Sequence, residues 1–288
     1  MRFYGTSAAE AIPNPFCSCY LCENARKMGG KDVRHRSMFR IDEETCIDMG
    51  GDALIEAERF GDFKNLRQVL VTHTHEDHLN YAMLGVRKMA TERAPEPLTF
   101  YMTDRAFEMA EFYRREPYIL KGETRMMEDK NIIRFEKLEF GKEVTIGDKK
   151  VLPLRGNHLG NVDENSANYF ITLKNGHTMY YGLDTGYYLE ETFEALKSRH
   201  IDILISECTY GNDATRPEKP FGHLDQYSCM RVFHRLFDQG TINANTRIYL
   251  THINHTHTAT HAELSKFFAE ADLPCKIEVG YDGMEIED

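Results

Sequence analysis

The sequence predicts an α/β protein in which two β-sheets pack as a sandwich with helices on the outside. Three observations support this prediction. Strand-like and helix-like segments alternate along the 288 residues, they fall in two halves, and no internal repeat or long linker divides them. Hydrophobic residues make up 41% of the chain and charged residues 28%, which is ordinary for a globular protein. We therefore expect a single domain over residues 1–288.

The first half of the chain alternates short apolar runs with segments of helical spacing. The run QVLVT at 68–72 is typical of a buried strand. Behind it, apolar residues recur at helical spacing from Leu79 to Ala90, and prolines at 95 and 97 end that helix. The pattern also predicts a helix at 106–115, an irregular polar segment at 116–130, and strands at 37–41, 45–48 and 98–102.

The second half of the chain is richer in strand-like segments. A helix at 226–239 is also expected, because Phe233 and Phe237 lie on one helical stripe. Thr260 followed three residues later by Glu263 is typical of a capping box at the start of a further helix. The strands predicted in this half lie at 144–146, 150–154, 167–173, 178–183, 201–206, 247–251 and 276–281.

Composition and charge narrow the possible functions. No apolar run approaches the roughly 20 residues that a membrane-spanning helix requires, and the first residues do not resemble a secretory signal. These features predict a cytoplasmic protein without a membrane partner. The net charge of -11 disfavours non-specific binding to nucleic acid, because an acidic surface repels phosphate backbones.

The seven cysteines, an odd number, do not suggest a disulfide framework. Three of them, Cys17, Cys19 and Cys22, stand close together and offer three thiolates to a metal ion. A structural zinc ion takes four ligands, so the fourth would come from elsewhere in the chain. The other four are expected to be small buried hydrophobic residues, namely Cys46, Cys208, Cys229 and Cys275.

The densest cluster of chemically active side chains follows the strand predicted at 68–72. Three histidines and two carboxylates occupy residues 73–78, which read HTHEDH. Imidazole and carboxylate groups are ligands that hydrolytic transition metals accept. Three further candidates, His158, Asp184 and His252, each follow a strand-like run. Four strand ends that deliver ligands predict a metal site at the rim of the sheets.

The motif HTHEDH matches the His-x-His-x-Asp-His signature of the metallo-β-lactamase superfamily, and GLDTG at 182–186 and LTHINH at 250–255 resemble its later motifs. The resemblance covers nearly the whole chain. It implies an αββα sandwich of two mixed β-sheets flanked by helices, and a hydrolase with two divalent metal ions at its active site. Zinc, manganese and iron all suit such mixed nitrogen and oxygen ligands.

The resemblance also assigns ligands to the two ions. The first ion would be bound by His73, His75 and His158, and the second by Asp77, His78 and His252. Asp184 would bridge the ions, which would polarise a bridging water to hydroxide near neutral pH. Asp77 is thus a catalytic candidate as well as a ligand. His75 stands where the redox di-iron branch of the fold typically has a carboxylate, which favours hydrolysis.

The amino-terminal Cys-x-Cys-x-x-Cys motif, together with THINH and EVGYDGMEI, resembles the phosphodiesterase branch of the carbon–phosphorus lyase pathway. The enzyme of that branch acts on a cyclic ribose phosphate. Its structural zinc site is completed by the histidine three residues after the last catalytic ligand, which here is His255. His257 and His223 remain open as alternatives for the fourth ligand. The zinc ion would fix the loop that carries His252.

His223 precedes the helix predicted at 226–239. In phosphodiesterases that resemble this chain, including the transfer-RNA processing nucleases, a histidine at a similar place donates a proton. His223 is therefore the candidate that would protonate the leaving alkoxide. Asp48, which follows a predicted strand, is a candidate for orienting a metal-binding histidine.

These features predict a phosphodiesterase that acts on a small or cyclic phosphodiester through a metal-bridging hydroxide. A lactone or thioester hydrolase of the same fold is one alternative. Another is a non-catalytic relative of the pyrroloquinoline-quinone biosynthesis protein, which shares the cysteine cluster but lacks the full His-x-His-x-Asp-His set present here. The sequence leaves open whether the chain forms a homodimer. The segment 103–130 is expected to shape the pocket.

Overall fold

Two mixed β-sheets form the centre of the computed structural model, which describes residues 1–115, 123–256 and 259–288. The first sheet consists, in spatial order, of β1 (Arg2–Gly5), β2 (Met38–Arg40), β3 (Thr45–Ile47), β4 (Gln68–Leu70), β5 (Leu98–Thr103) and β6 (Ile133–Leu138). The second consists, again in spatial order, of β13 (Lys276–Val279), β12 (Arg247–Thr251), β11 (Ile203–Glu207), β10 (Thr178–Gly182), β9 (Asn165–Thr172), β8 (Lys149–Leu159) and β7 (Val144–Ile146).

Each sheet has a parallel part and an antiparallel part. Strands β3 to β6 run parallel to one another, as do β10 to β13, and the other neighbours are antiparallel. Parallel neighbours require crossover connections, and helices make most of them. The helices of the described residues are α1 (Tyr20–Met28), α2 (Ala53–Phe60), α3 (Ala82–Met89), α4 (Asp104–Arg115), α5 (Glu123–Asp129), α6 (Glu190–Leu196), α7 (Gln226–Asp238) and α8 (His261–Ala269).

Aromatic side chains from both sheets meet in the space between them. Phe39 of β2 and Tyr181 of β10 are 1% exposed, and their ring centroids lie 5.8 Å apart. Phe3 of β1 faces Tyr249 of β12 at 6.2 Å. Because successive side chains of a strand point to opposite faces, the other face of each sheet is left for the helices.

The helices cover the two outer faces separately. Buried side chains of α2, α3, α4 and α5 pack against the first sheet, and those of α1, α6, α7 and α8 pack against the second. The αββα sandwich predicted from the sequence is thus confirmed. Strands buried on both faces also account for the continuous apolar runs, such as QVLVT, that the sequence shows.

The structure corrects the expectation of an irregular segment at 116–130. Residues Glu123–Asp129 form α5, and Met127 on that helix is fully buried. Residues 116–122 lie outside the described residues. The helix was missed because ETRMMED is mostly polar and too short to show a repeat of apolar residues.

Two other observations bear on sequence-based expectations. The four cysteines outside the amino-terminal motif are all buried, as predicted. None of the helices in the described parts of the chain is both long enough and apolar enough to cross a membrane.

Candidate metal centre

The ligand-type side chains lie on segments at one edge of the two sheets. Residues 73–78 follow β4, His158 lies near the end of β8, Asp184 follows β10 and His252 follows β12. Asp184 and His252 have left-handed φ angles of 47° and 58°, and Asp48, directly after β3, has a φ of 63°. Such angles are uncommon for residues other than glycine and concentrate at functional sites. Each one turns the chain just behind a strand, so the sheets fix where these side chains lie.

Three histidines and one aspartate form the first group of ligand atoms. His73 Nε2 lies 2.9 Å from His75 Nδ1 and 3.3 Å from Asp184 Oδ2. His158 Nε2 lies 3.4 Å from the same His75 nitrogen. The nitrogen ligands of a tetrahedral zinc ion stand about 3.3 Å apart, since each Zn–N bond is about 2.0 Å long. The first group therefore has the spacing of a metal site.

Asp77, His78 and His252 form the second group. His78 Nε2 lies 3.1 Å from Asp77 Oδ2 and 3.2 Å from His252 Nε2. Two imidazole nitrogens that face each other at this distance need either a shared proton or a cation between their lone pairs. A divalent cation would satisfy both nitrogens and the carboxylate, so this group also fits a metal.

Asp184 lies between the two groups. Its Oδ2 is 3.3 Å from His73 Nε2 and 3.4 Å from His78 Nε2, and its Oδ1 is 2.9 Å from His252 Nε2. Oδ1 is buried, and no described residue gives it a hydrogen bond of acceptable geometry despite that short distance. Buried polar atoms are normally satisfied, and a metal ion would supply the missing partner. The residues present therefore fit cations on both sides of the Asp184 carboxylate.

The charges of the cluster favour a cation beside the second group. Burial lowers the pKa of His252, but the carboxylates of Asp184 and Asp77 outweigh burial and raise its pKa to about 10. Burial and the neighbouring His78 lower the pKa of His73 to about 3. His73 is therefore neutral, with a lone pair available to a metal. The negative field that holds a proton on His252 would equally attract a divalent cation.

Hydrogen-bond partners at the other ring nitrogen orient three of the histidines. His78 Nδ1 lies 2.7 Å from Asp48 Oδ2, which is the kind of contact expected for Asp48. His158 Nδ1 lies 3.1 Å from a backbone carbonyl oxygen, and His252 Nδ1 lies 2.9 Å from Thr209 Oγ1. Such partners fix the tautomer and the ring orientation of metal-binding histidines.

His223 lies at the edge of the cluster. Its Nδ1 is 3.9 Å from Asp184 Oδ1 and 3.0 Å from Glu207 Oε2. Glu207, the last residue of β11, is fully buried and also accepts hydrogen bonds from the Thr209 hydroxyl and the Leu224 N–H. Glu207 is absent from the site residues predicted from the sequence. The available signal was an acidic residue directly behind a predicted core strand, the same pattern that identified Asp184.

A cavity of ≈ 200 Å³ opens onto these groups. Apart from His and Asp residues of the cluster, it is lined by Ala8, Ala9, Glu10, Thr209, Tyr210 and Asn254. None of the described residues of 103–130 lines it, so the described part of that segment does not shape the pocket as expected. A larger cavity of ≈ 830 Å³ near the chain termini is lined by none of the cluster residues. The chemistry of the lining, and not the size of the cavity, identifies the site.

The three amino-terminal cysteines and His255 form a separate group. Their ligand atoms all lie within 4.8 Å of one another, and Cys19 Sγ is 3.5 Å from His255 Nδ1. Burial raises the pKa of Cys19, but hydrogen bonds from the Cys22 backbone and from His255 outweigh burial and lower its pKa to about 6. The thiolate is the form that binds zinc. His223 belongs to the other cluster and is excluded as fourth ligand here, while His257 lies outside the described residues.

The αββα sandwich carries a cluster of His and Asp side chains at its strand ends. The chain is thus an α/β protein with a candidate metal site at the edge of its two sheets. A family model described as "Beta-lactamase superfamily domain" matches residues 46–253, which is more than half of the chain. The chain therefore belongs to the metallo-β-lactamase superfamily. No curated protein matches it in sequence.

Solved structures of similar fold extend over nearly the whole chain. The metallo-beta-lactamase fold protein YhfI from Bacillus subtilis has a TM-score of 0.69 at 16% identity, covering 98% of this chain and 96% of its own. A diphosphatase from the PhnP family has a TM-score of 0.69 at 18% identity, with coverage of 99% and 95%. Zinc-bound PqqB from Methylobacterium extorquens has a TM-score of 0.70 at 14% identity, with coverage of 99% of both chains. At these identities the likeness shows the fold alone.

Proposed function

We propose that the protein is a metal-dependent phosphodiesterase that acts on a small or cyclic phosphodiester. The observation that carries the proposal is the position of Asp184 between two groups of ligand atoms, with His223 3.9 Å from its Oδ1. Divalent cations on both sides of such a carboxylate would activate water and offset the charge on the attacking and leaving oxygens of a phosphodiester. A thioester makes less use of a proton donor placed for a leaving alkoxide, because its leaving thiolate is a much weaker base.

The chain's own residues would bind the ions and move a proton. One ion would be held by His73, His75 and His158, the other by Asp77, His78 and His252, with Asp184 shared between them. His223 would donate the proton to the leaving oxygen. Because Glu207 accepts from Nδ1 of that ring, Nε2 is the atom left to face the substrate.

The size of the site and the net charge of the chain favour a small substrate over nucleic acid. The cavity measures ≈ 200 Å³, which is below the usual range for drug-sized ligands. The chain as a whole carries a net charge of -11 and would repel a polyanion. A cyclic phosphodiester, with a single negative charge, fits both conditions.

The cysteine group supports a place near the phosphodiesterase branch of the carbon–phosphorus lyase pathway. One structural zinc ion would be bound by Cys17, Cys19, Cys22 and His255. It would join the amino-terminal loop to the segment directly behind His252, and so stabilise one wall of the site. The likeness of the fold to a PhnP-family diphosphatase agrees with this assignment.

The test is hydrolysis of bis(p-nitrophenyl) phosphate by the purified protein with added manganese or zinc. We expect turnover that chelator abolishes and that Asp184→Ala lacks. A matched control is Asp238→Ala at the end of α7, which removes an aspartate away from the cluster and should retain activity.

Other substrates decide between the alternatives. Turnover of a p-nitrophenyl thioester or of a simple lactone, without any turnover of phosphodiesters, would replace the proposal with a lactonase or thioesterase. No turnover of any of these by protein that binds its metals would favour the non-catalytic relative.

A further inference from the structure

The wall of the site cavity formed by residues other than the metal ligands and His223 contains one carboxylate that the proposed chemistry does not use. Glu10 lines the cavity together with Tyr210 and Asn254. Its Oε2 is buried, and none of the described residues donates a hydrogen bond to it or pairs with it. A buried acceptor without a partner costs free energy, so its presence in a binding cavity points to a partner that arrives from outside.

The turn that carries Glu10 is held at both ends. Before the turn, the Ala8 N–H donates to the carbonyl oxygen of Ile253 over 3.1 Å, and Ile253 directly follows His252. After the turn, Ile12 and Arg34 exchange backbone hydrogen bonds of 2.9 and 2.7 Å. The position of Glu10 relative to the metal ligands is therefore fixed by the fold.

The turn is also fixed internally. The Ala11 N–H donates to the Ala8 carbonyl over 3.2 Å, and Ala11 has a left-handed φ of 57°. The Asn14 side chain donates to the Glu10 carbonyl over 3.2 Å, and the Asn14 N–H lies 3.3 Å from Cys22 Sγ. The backbone of such a constrained turn needs no further ordering when Glu10 binds a ligand, which favours a role in specificity.

The chemistry of this wall selects among phosphodiesters. Its side chains are those of two alanines, Glu10, Thr209, Tyr210 and Asn254, so the described part of the wall carries one negative charge and no lysine or arginine. A carboxylate accepts hydrogen bonds and repels anions. It therefore favours an arm with hydroxyl groups and disfavours an arm with a further phosphate.

We propose that Glu10 binds the hydroxyl groups of the substrate's organic arm, so that the substrate class is a phosphodiester of a polyol or sugar without a second phosphate. The proposal rests on the proposed function and adds a substrate class to it. Glu10 acts in binding, and the chemistry at phosphorus stays with the metal ligands and His223.

The experiment compares p-nitrophenyl phosphodiesters that share a leaving group and differ only in the other arm. The arms are propyl, 2,3-dihydroxypropyl, and the same diol carrying a phosphate. We expect kcat/KM for the dihydroxypropyl ester to exceed that for the propyl ester by about 10- to 100-fold, the range of a hydrogen bond to a charged group. In Glu10→Ala the ratio should fall towards one, through KM more than through kcat. In Glu10→Gln, which removes the negative charge, the decrease in kcat/KM caused by a phosphate on the arm should be smaller than in the parent.

Controls separate this proposal from its premises. Glu270→Gln, an exposed glutamate behind α8, should keep the parental ratios. Metal content of Glu10→Gln should equal that of the parent, and a loss of metal would overturn the proposal by making Glu10 a ligand. A ratio that does not change in Glu10→Ala would also overturn it.

Failure of the proposed function gives a different result. If neither the propyl ester nor the diol ester is hydrolysed, the phosphodiesterase assignment fails. Calorimetric titration of the metal-loaded protein with glycerol phosphate and with propyl phosphate then still tests Glu10. Tighter binding of glycerol phosphate that is lost in Glu10→Ala supports the role of Glu10, and equal affinities overturn it.

Discussion

His223 Nδ1 lies 3.0 Å from Glu207 Oε2. The same carboxylate accepts a hydrogen bond from the Thr209 hydroxyl, and Thr209 Oγ1 lies 2.9 Å from His252 Nδ1. One buried glutamate thus connects the candidate proton donor with a candidate metal ligand. Burial lowers the pKa of His223, but the carboxylates of Glu207 and Asp184 outweigh it and raise that pKa. The arrangement favours the protonated form of His223, which is the form that can donate a proton.

Replacing His223 by Asn should reduce the rate of hydrolysis by an amount that depends on the leaving group of the substrate. A proton donor matters most when the leaving alkoxide is strongly basic, and little when it is p-nitrophenolate. We expect kcat for an alkyl phosphodiester to fall by about 100-fold or more, and that for bis(p-nitrophenyl) phosphate by less than about 10-fold. Steady-state kinetics on the two substrates measures this. Equal losses on both would show that His223 serves binding or folding.

Replacing Glu207 by Gln should weaken the orientation of both histidines while the fold remains. Partners of this kind typically contribute about 10- to 100-fold in activity or metal affinity. We expect the rate of phosphodiester hydrolysis to drop by that factor, and the drop should be larger for substrates with alkyl leaving groups. Glu218→Gln, on an exposed loop residue, is the matched control. Parental activity of Glu207→Gln on alkyl esters would contradict the role of Glu207.

Much of the site could be predicted because its residues are local in sequence or stand directly behind strands. The motif at 73–78 places four candidate ligands within one loop, and the strand order then brings His158, Asp184 and His252 to the same edge. Glu207 and Glu10 were not identified. Glu207 stands directly behind a predicted strand, but its role depends on contacts with His223 and Thr209, and that of Glu10 depends on a cavity formed by residues far along the chain.

Most of the elements missing from the sequence-based prediction have a common physical cause. Strand β6, which reads IRFEKL, is an exception, since its first four residues alternate between apolar and polar and show a period of 2. Strand β1 and helices α1, α2 and α6 are short or mixed in polarity, so neither a period of 2 nor one of 3.6 is clear in them. Glu56 of α2 illustrates this, since a charged side chain stands at a position that is 1% exposed. Predicted strand ends also differ from the structure in both directions. The strand predicted at 178–183 is observed at Thr178–Gly182, and the strand predicted at 150–154 is observed at Lys149–Leu159. Tertiary contacts decide such ends.

Removing the shared carboxylate tests the metal site directly. Asp184→Ala should lower metal content and reduce phosphodiester hydrolysis by more than the about 100-fold expected of an orienting residue. Circular dichroism should show an unchanged fold, because the two sheets do not depend on this side chain for packing. Normal activity of a folded Asp184→Ala protein would refute the mechanism.

The cysteine group gives a separate prediction about zinc and stability. Cys19→Ser should lose one equivalent of zinc and lower the free energy of unfolding by more than about 2 kcal/mol, because binding of structural zinc is coupled to folding. Cys275→Ala, a buried cysteine outside the group, should keep all its zinc. Elemental analysis together with denaturant unfolding provides both readouts. Unchanged zinc in Cys19→Ser would rule out the site.

Part of the loss of folding stability at acidic pH should arise at His261, the first residue of α8. The buried guanidinium of Arg34 donates to His261 Nδ1 over 3.1 Å, and burial, together with the charge of Arg34, lowers the pKa of His261 to about 4. Above about pH 6.5 the ring is neutral in both the folded and the unfolded chain, so it adds no pH dependence. Between about pH 6.5 and 4 the unfolded chain binds the proton and the folded chain does not, so stability falls as the pH falls.

His261→Gln should remove this dependence, since a glutamine oxygen can accept from Arg34 without titrating. Because the ring is partly exposed, we expect the parent to lose about 1–2 kcal/mol relative to the variant on acidification from pH 6.5 to 4. Urea unfolding at a series of pH values measures the difference. His234→Gln, which changes an exposed histidine of α7, controls for the replacement of an imidazole by an amide. Parallel stability curves for the parent and His261→Gln would show that His261 binds its proton equally well in the folded and unfolded chains.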